Sequence, residues 1–169
     1  EAMQSRNGGF GAFDADNDHT YLNYIPFADH GALLDPPTAD VTARCVSMFA
    51  QLGETPQNSL QVASAVDYLL QEQEKDGSWY GRWGINYVYG TWSVLCALNA
   101  AGLDHQCEAI RRAAAWLKAI QNDDGGWGEG GDSYAVDYAG YEKAPSTASQ
   151  TAWALLGLMA AGEVNDPAV

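Results

Sequence analysis

Apolar residues recur every three to four positions in five stretches of the chain, and this spacing predicts five α-helices. Each stretch stops beside a glycine or a glutamine, which are common residues at helix ends. The predicted helices cover residues 41–52, 62–70, 90–101, 110–120 and 147–161. The chain is therefore predicted to be all-α.

A short motif occurs three times: a glutamine, then a glycine-containing turn, then an aromatic residue six positions after the glutamine. The copies lie at residues 4–10, 73–79 and 121–127, and the last two begin 48 residues apart, at Gln73 and Gln121. The first copy ends in Phe10 instead of a tryptophan. Each of the later copies stands between two predicted helices, so the pattern predicts a repeating helix pair with the motif as its turn.

Charge separates the predicted helices into two kinds. Helices that precede a motif carry charged side chains, whereas those that follow one, at residues 90–101 and 147–161, are nearly uncharged. The charged positions of the first kind include Asp67, Arg111, Arg112 and Lys118. An outer wetted helix and an inner buried helix are therefore expected in each pair. Stacked pairs of this kind form an α/α solenoid or, if the curve closes, an α/α toroid around a cavity.

The stretch at residues 8–37 differs from the rest because it is polar and rich in Gly, Asp, Asn and Pro. A loop of about 30 residues is long for a compact domain and is usually functional or disordered. Its aromatic residues argue against disorder. We therefore expect a functional loop.

Composition excludes several classes of protein. There are 22 acidic and 8 basic residues, a net charge of −14, which opposes binding to nucleic acid or to an anionic lipid surface. No apolar stretch reaches the ~20 residues that span a bilayer, and these residues show no basic start followed by an apolar core of the kind typical of a signal peptide. The odd number of cysteines, three, fits a reducing compartment. The start at Glu1 and the stop at Val169 suggest a piece of a longer protein.

Common cofactor and metal motifs do not fit this sequence. The acidic run at residues 14–18 resembles the start of a calcium loop, but His19 and Ile25 stand where an EF-hand needs glycine and glutamate. The histidines and cysteines share no zinc-ligand spacing. Nucleophile-elbow and phosphate-loop motifs are missing as well. We expect neither a metal nor a cofactor.

Asp40 and Arg44 stand four residues apart at the start of the first predicted helix. This spacing is typical of a surface ion pair. It also fits a guanidinium on an inner helix that supports a catalytic carboxylic acid, since a fixed cation makes a nearby acid a stronger proton donor. Both interpretations remain open from spacing alone.

Five aromatic residues and four glycines lie together at residues 77–90. The aromatic residues are Trp79, Tyr80, Trp83, Tyr87 and Tyr89. Some are expected in the core of the repeat. The others precede an inner helix, where their ring faces could line a cavity and stabilise a cation.

Several blocks in this order closely resemble the squalene–hopene cyclase family, and the likeness covers the whole chain. The blocks are GGFGAFDADN at 8–17, IPFADHG at 25–31, DPPTADVTAR at 35–44, GSWYGRWGINYVYGT at 77–91, QNDDGGWGE at 121–129 and STASQTAWALLGL at 146–158. The resemblance implies an α/α toroid around an apolar cavity. It also implies that an aspartic acid protonates squalene to start a cascade of ring closures through carbocations, giving hopene or its hydrated alcohol.

The resemblance assigns roles to individual residues. Phe13, Trp83 and Tyr89 match positions that line the cavity, and Phe27 matches the constriction through which substrate arrives from the membrane. Asp40 and Arg44 match the pair that supports the catalytic acid, although histidine is common where Arg44 stands. The residues that match the bracing repeat positions are Gln73, Trp79, Gln121 and Trp127.

The family's proton donor lies in an Asp-x-Asp-Asp motif, which this chain lacks. In relatives the donor precedes the block that begins here at Gly8, so the acid is expected upstream and the chain alone is expected to be inactive. For the parent protein the resemblance implies squalene as substrate, peripheral attachment to the cytoplasmic face of a bacterial membrane, and a homodimer. Two alternatives stay open, namely a cyclase of another polyprenoid or oxidosqualene, and an α/α repeat scaffold without chemistry.

Overall fold

The computed structural model describes residues 2–25, 34–134 and 140–169. Its α-helices are α1 (Ala39–Gln51), α2 (Leu60–Gln71), α3 (Tyr87–Ala100), α4 (Glu108–Ala119) and α5 (Ala148–Ala160). Short 3-10 helices cover Thr20–Tyr24 and Gly131–Tyr134. All five predicted helices are present and the described residues contain no strand beyond isolated bridges, so the all-α prediction is confirmed. In these ranges no helix is long and apolar enough to cross a membrane.

The helices form an inner row and an outer row. α3 lies in the centre of the inner row and packs along α1 on one side and α5 on the other. α2 packs against α1, while α4 lies against α3 and α5. This agrees with the division expected from charge for α2 to α5, whereas α1 is an inner helix although it carries Asp40 and Arg44.

The glutamine of each repeat turn binds its own turn and a carbonyl farther along the chain, which for the first two turns lies at the start of the following outer helix. The side-chain Nε2 of Gln73 donates to the carbonyl of Gly77 at 2.9 Å and to that of Ala109, in the first turn of α4, at 2.8 Å. The same two bonds recur from Gln4 to Gly8 and Gln61, and from Gln121 to Gly125 and Ala168. Gly77 has φ +102°, and a Cβ there would lie 2.8 Å from the carbonyl oxygen of Arg112, so the turn requires glycine.

The aromatic residue of each turn is buried and ties the outer helix to the inner one. Trp79 and Trp127 are both fully buried, and their Nε1 atoms donate to the carbonyls of Leu69 and Leu117 at 2.7 and 2.8 Å. Phe10 keeps the burial but has no ring N–H to donate. In all three turns the aromatic backbone N–H donates to a threonine Oγ1 of the next inner helix, at Thr42, Thr91 and Thr151.

The described part of the long loop is ordered around one carboxylate. Asp35 is buried, and its side chain accepts hydrogen bonds from the backbone N–H groups of Ala12, Phe13 and Asp14. Burial raises the pKa of Asp35, but these N–H bonds outweigh it and hold the pKa below its ordinary value. Asp35 thus joins the two described parts of the loop, residues 8–25 and 34–37, and a functional role of the loop stays a prediction.

Candidate active site

A small cavity of about 150 Å³ opens on the inner row where the starts of α1 and α3 meet the long loop. It is lined by Ala12, Phe13, Asp40, Val41, Arg44, Trp83 and Tyr89. Five of the six residues that the sequence assigned to the site therefore lie around one cavity. The sixth, Phe27, lies outside the described residues.

Four separate segments bring these side chains together. Asp40 and Arg44 are one turn apart on α1, so both reach the same side of that helix. Tyr89 lies in the first turn of α3, which packs along α1. Phe13 belongs to the segment that Asp35 fixes, and Trp83 lies in the loop that leads into α3.

The two rings at the mouth of the cavity contact each other. Phe13 and Trp83 pack edge to face, with ring centroids 5.8 Å apart and planes at 85°. Phe13 is 69% exposed and Trp83 is 51% exposed, which are high values for large aromatic side chains. The guanidinium of Arg82 lies 5.7 Å from the Trp83 ring and donates to the carbonyl of Leu34.

Asp40 is buried, with an exposure of 1%, although it is a carboxylate in an apolar surrounding. Its Oδ2 accepts a hydrogen bond of 2.8 Å from the backbone N–H of Trp83. Its Oδ1 is buried and has no hydrogen-bond partner in the described part of the chain. Asp40 therefore fixes the loop that carries Trp83 and keeps one acceptor oxygen unused.

Asp40 and Arg44 do not form the ion pair that their spacing suggested. Among the described residues, no nitrogen of Arg44 lies within 4.0 Å of the Asp40 carboxylate. The expectation that Asp40 holds the guanidinium is therefore wrong. The physical reason is that the carboxylate bonds to the Trp83 N–H, while the guanidinium lies over two aromatic rings of α3.

An aromatic cluster made of Tyr89, Trp92 and Trp153 receives the Arg44 guanidinium. The guanidinium carbon lies 4.5 Å from the Trp92 ring centroid and 6.0 Å from that of Tyr89. Trp92 stacks on Trp153 of α5, with centroids 5.6 Å apart and planes at 12°. Sequence reasoning missed Trp92 and Trp153, yet Trp92 is three residues after Tyr89, a spacing that places both on one helix face.

Glu129, in the third repeat turn, holds the start of α3. Its buried carboxylate accepts hydrogen bonds of 2.9–3.0 Å from the backbone N–H groups of Asn86, Tyr87 and Val88. Burial raises the pKa of Glu129, and the N–H bonds oppose that rise. The first N–H groups of a helix lack partners within the helix, so this carboxylate completes them. α3 consequently begins at Tyr87, three residues before the predicted start.

The loop at residues 81–86, which carries Trp83, is fastened from two further points. The Oδ1 of buried Asn86 accepts from the N–H of Gly81 at 3.2 Å, and its Nδ2 donates to the carbonyl of Ser133. The Tyr134 hydroxyl lies within hydrogen-bond distance of three carbonyls, those of Gly81, Arg82 and Gly84. Burial raises the pKa of Tyr134, so the hydroxyl stays protonated and donates to one of them at a time. Sequence reasoning did not find Glu129 or Tyr134, since neither belongs to a motif that indicates loop support.

The aromatic residues at 79–89 divide as expected between core and cavity. Trp79 and Tyr87 are buried, with exposures of 0% and 1%. Trp83 and Tyr89 line the cavity. Tyr80 packs edge to face on both Tyr87 and Tyr134.

Comparison with known proteins supports the resemblance found in the sequence. The family description "Squalene-hopene cyclase C-terminal domain" matches residues 1–169. The squalene–hopene cyclase of Zymomonas mobilis is 71% identical, and the match covers 99% of this chain and 25% of the relative. That of Bradyrhizobium diazoefficiens is 68% identical, and the match covers 100% of this chain and 26% of the relative. The chain thus spans about a quarter of the length of these relatives.

A solved structure supports the fold. The ent-copalyl diphosphate synthase from Streptomyces platensis superposes with a TM-score of 0.65 at 23% identity, over 96% of this chain and 26% of that one. At this identity the likeness concerns the arrangement of helices alone. It agrees with part of a terpene-cyclase α/α toroid.

Proposed function

The chain belongs to the squalene–hopene cyclase family, and on that premise we propose that its parent protein converts squalene to hopene by proton-initiated polycyclisation. The observation that carries the proposal is the cavity where Phe13, Asp40, Arg44, Trp83 and Tyr89 meet. Relatives named squalene–hopene cyclase are 48–71% identical, whereas a relative named dammaradiene synthase, from Dryopteris crassirhizoma, is 43% identical. This difference favours squalene and hopene over another polyprenoid pair.

The reaction needs an acid to start it. It then needs a cavity wall that excludes water and stabilises carbocations. Protonation of the terminal double bond leaves a tertiary carbocation. Each ring closure then uses the π electrons of the next double bond to form a carbon–carbon bond and moves the positive charge along the chain. Loss of a proton at the end gives hopene, an isomer of squalene, and capture of water followed by loss of a proton from the added water gives the alcohol. The enzyme must therefore guide charge and exclude early water.

The aromatic rings suit the second requirement. Trp83, Phe13 and Tyr89 expose ring faces or edges to the cavity, and the negative face of an aromatic ring attracts a cation. The edge-to-face contact of Phe13 and Trp83 keeps both rings in one orientation despite their exposure. A fixed ring stabilises developing charge without reorganising during the reaction.

Arg44 suits the first requirement. A fixed guanidinium beside a carboxylic acid lowers the acid's pKa and makes it a stronger proton donor. The acid itself is expected in the parent protein upstream of residue 8. We propose that Arg44 acts on that acid and that Asp40 acts by holding the Trp83 loop.

The apolar substrate suggests how the parent meets it. We propose that the parent is attached to the cytoplasmic face of the cell membrane, takes squalene from it past Phe27, and forms a homodimer. Membrane attachment can be checked by flotation of the full-length protein with liposomes, and the dimer by analytical ultracentrifugation.

The activity can be tested on the full-length protein with squalene dispersed in detergent. We expect a pentacyclic hydrocarbon with the mass of squalene, with or without an alcohol one water heavier, by gas chromatography–mass spectrometry. A parallel reaction with oxidosqualene tests the related-cyclase alternative, which would be supported if only oxidosqualene reacted. Binding of squalene without conversion would support a scaffold instead.

A further inference from the structure

We propose that Trp92 is a positioning residue that fixes the Arg44 guanidinium against the cavity wall through cation–π stacking, with Trp153 supporting Trp92 from α5. This inference rests on the proposed function, since it assigns the way in which Arg44 is held for that reaction. Neither tryptophan lines the cavity, so they would act through Arg44 and not on substrate.

The distances support a specific contact. The guanidinium carbon is 4.5 Å from the Trp92 centroid, well inside the ~6 Å limit for a cation over an aromatic face. The distance to Tyr89 is 6.0 Å, at that limit. Trp92 is therefore the main aromatic partner of Arg44.

Arg44 needs such a partner because a carboxylate does not hold it in the described part of the chain. Its side chain is exposed. An arginine side chain has several rotatable bonds and spreads over many conformers unless its planar group rests on a surface. The effect of a cation on an acid falls with distance, so the position of the guanidinium matters for the proton donor.

Trp92 is itself held from two sides. Tyr89, on the same helix, packs on it with centroids 5.7 Å apart, and Trp153 stacks on it from α5. Tyr89 and Trp153 also contact each other at 5.2 Å. A series of contacts therefore runs across α1, α3 and α5, through Arg44, Trp92 and Trp153. It couples the position of the Arg44 guanidinium to the packing of the two following inner helices.

The test uses the full-length protein with the variants Trp92→Phe, Trp92→Leu, Arg44→Leu and the double variant Trp92→Leu/Arg44→Leu. Trp116→Leu is the matched control, because Trp116 packs on Tyr141 of the outer layer and has no cation over its ring in the described residues. Squalene turnover gives kcat and KM. Urea denaturation gives the unfolding equilibrium.

We expect Trp92→Leu to lower kcat by about 3- to 30-fold, as loss of a cation–π contact would, with KM changed less than about 2-fold. Trp92→Phe should recover most of the loss because it keeps an aromatic face. In the Arg44→Leu background, Trp92→Leu should lower kcat little further. Trp116→Leu should lower stability and leave kcat per folded molecule unchanged.

The two single variants and the double variant form a double-mutant cycle, and urea denaturation of these proteins tests the contact independently of squalene turnover. If Arg44 stacks on Trp92, the two single variants should be coupled by about 2- to 5-fold in the unfolding equilibrium constant. Additive effects in both kcat and unfolding would overturn the inference. A wild-type protein that binds but does not convert squalene would overturn the proposed function instead, and the coupling in unfolding would still decide the contact.

Discussion

Replacing Glu129 by alanine in the full-length protein should damage both stability and product formation. The carboxylate accepts three backbone N–H groups at the start of α3, all in a buried setting. Leaving a buried donor without a partner costs ~1–3 kcal/mol. Water can enter the space left by the carboxylate, so the lower figure applies, and the three donors together predict a loss of about 3 kcal/mol.

The functional effect should follow from the loop that Glu129 supports. Without the carboxylate, the segment that carries Trp83 and Tyr89 loses its bonds at the start of α3 and keeps only the bonds that Asn86 and Tyr134 make. Ring orientation and water exclusion should suffer together, so we expect less hopene and a larger share of partly cyclised hydrocarbons and alcohols. Gas chromatography–mass spectrometry of products and a thermal melt of the same preparation measure both effects.

Two further variants sharpen the comparison. Glu129→Gln keeps one acceptor oxygen but turns an NH₂ group toward the remaining donors, so its effect should be intermediate. Glu142→Ala removes an exposed glutamate of the neighbouring segment and should leave melting and products unchanged. A Glu129→Ala protein that melts with the wild type and gives the same products would refute the reasoning.

Three other predictions concern the full-length protein. Trp127→Ala should lower the melting temperature through a loss of ~3–5 kcal/mol in the free energy of unfolding, while Trp83→Ala should mainly lower turnover. Calorimetry and squalene turnover of both variants separate the two roles, and equal losses of stability would contradict them. Arg44→Lys should keep partial activity and Arg44→Leu almost none, because lysine retains the charge but not the planar group; a turnover assay checks this, and wild-type turnover in Arg44→Leu would leave Arg44 without a role. Asp35 has a pKa lowered in the folded state, so its stabilisation is present above its unfolded pKa of 3.8 and is lost as the pH falls through the lower folded value. Asp35→Asn should therefore be less stable than the wild type at neutral pH and approach it in acid, as measured by urea denaturation across pH.

Periodicity determined much of the fold because its signals are local. The apolar spacing of α1 to α5 depends on one helix turn at a time, and the glutamine, glycine and aromatic residue of each motif lie within six residues of one another in the sequence. The places of α3, α4 and α5 in the two rows follow from charge for the same reason, since a charged face must stay wet, but α1 is inner despite Asp40 and Arg44. The family likeness added the six site residues, of which five meet at the cavity.

Only the tertiary structure decided the hydrogen-bond and cation–π partners of the site residues. Spacing along α1 favoured an ion pair between Asp40 and Arg44, because a sequence displays i to i+4 neighbours. It does not display the backbone N–H of Trp83, 43 residues away, which donates a hydrogen bond to the Asp40 carboxylate. Nor does it display the Trp92 ring, over which the Arg44 guanidinium lies. Glu129 reaches the start of α3 across 41 to 43 residues in the same way. Such bonds exist because the repeats stack side by side, and stacking brings together groups that lie far beyond the reach of a single helix turn along the chain.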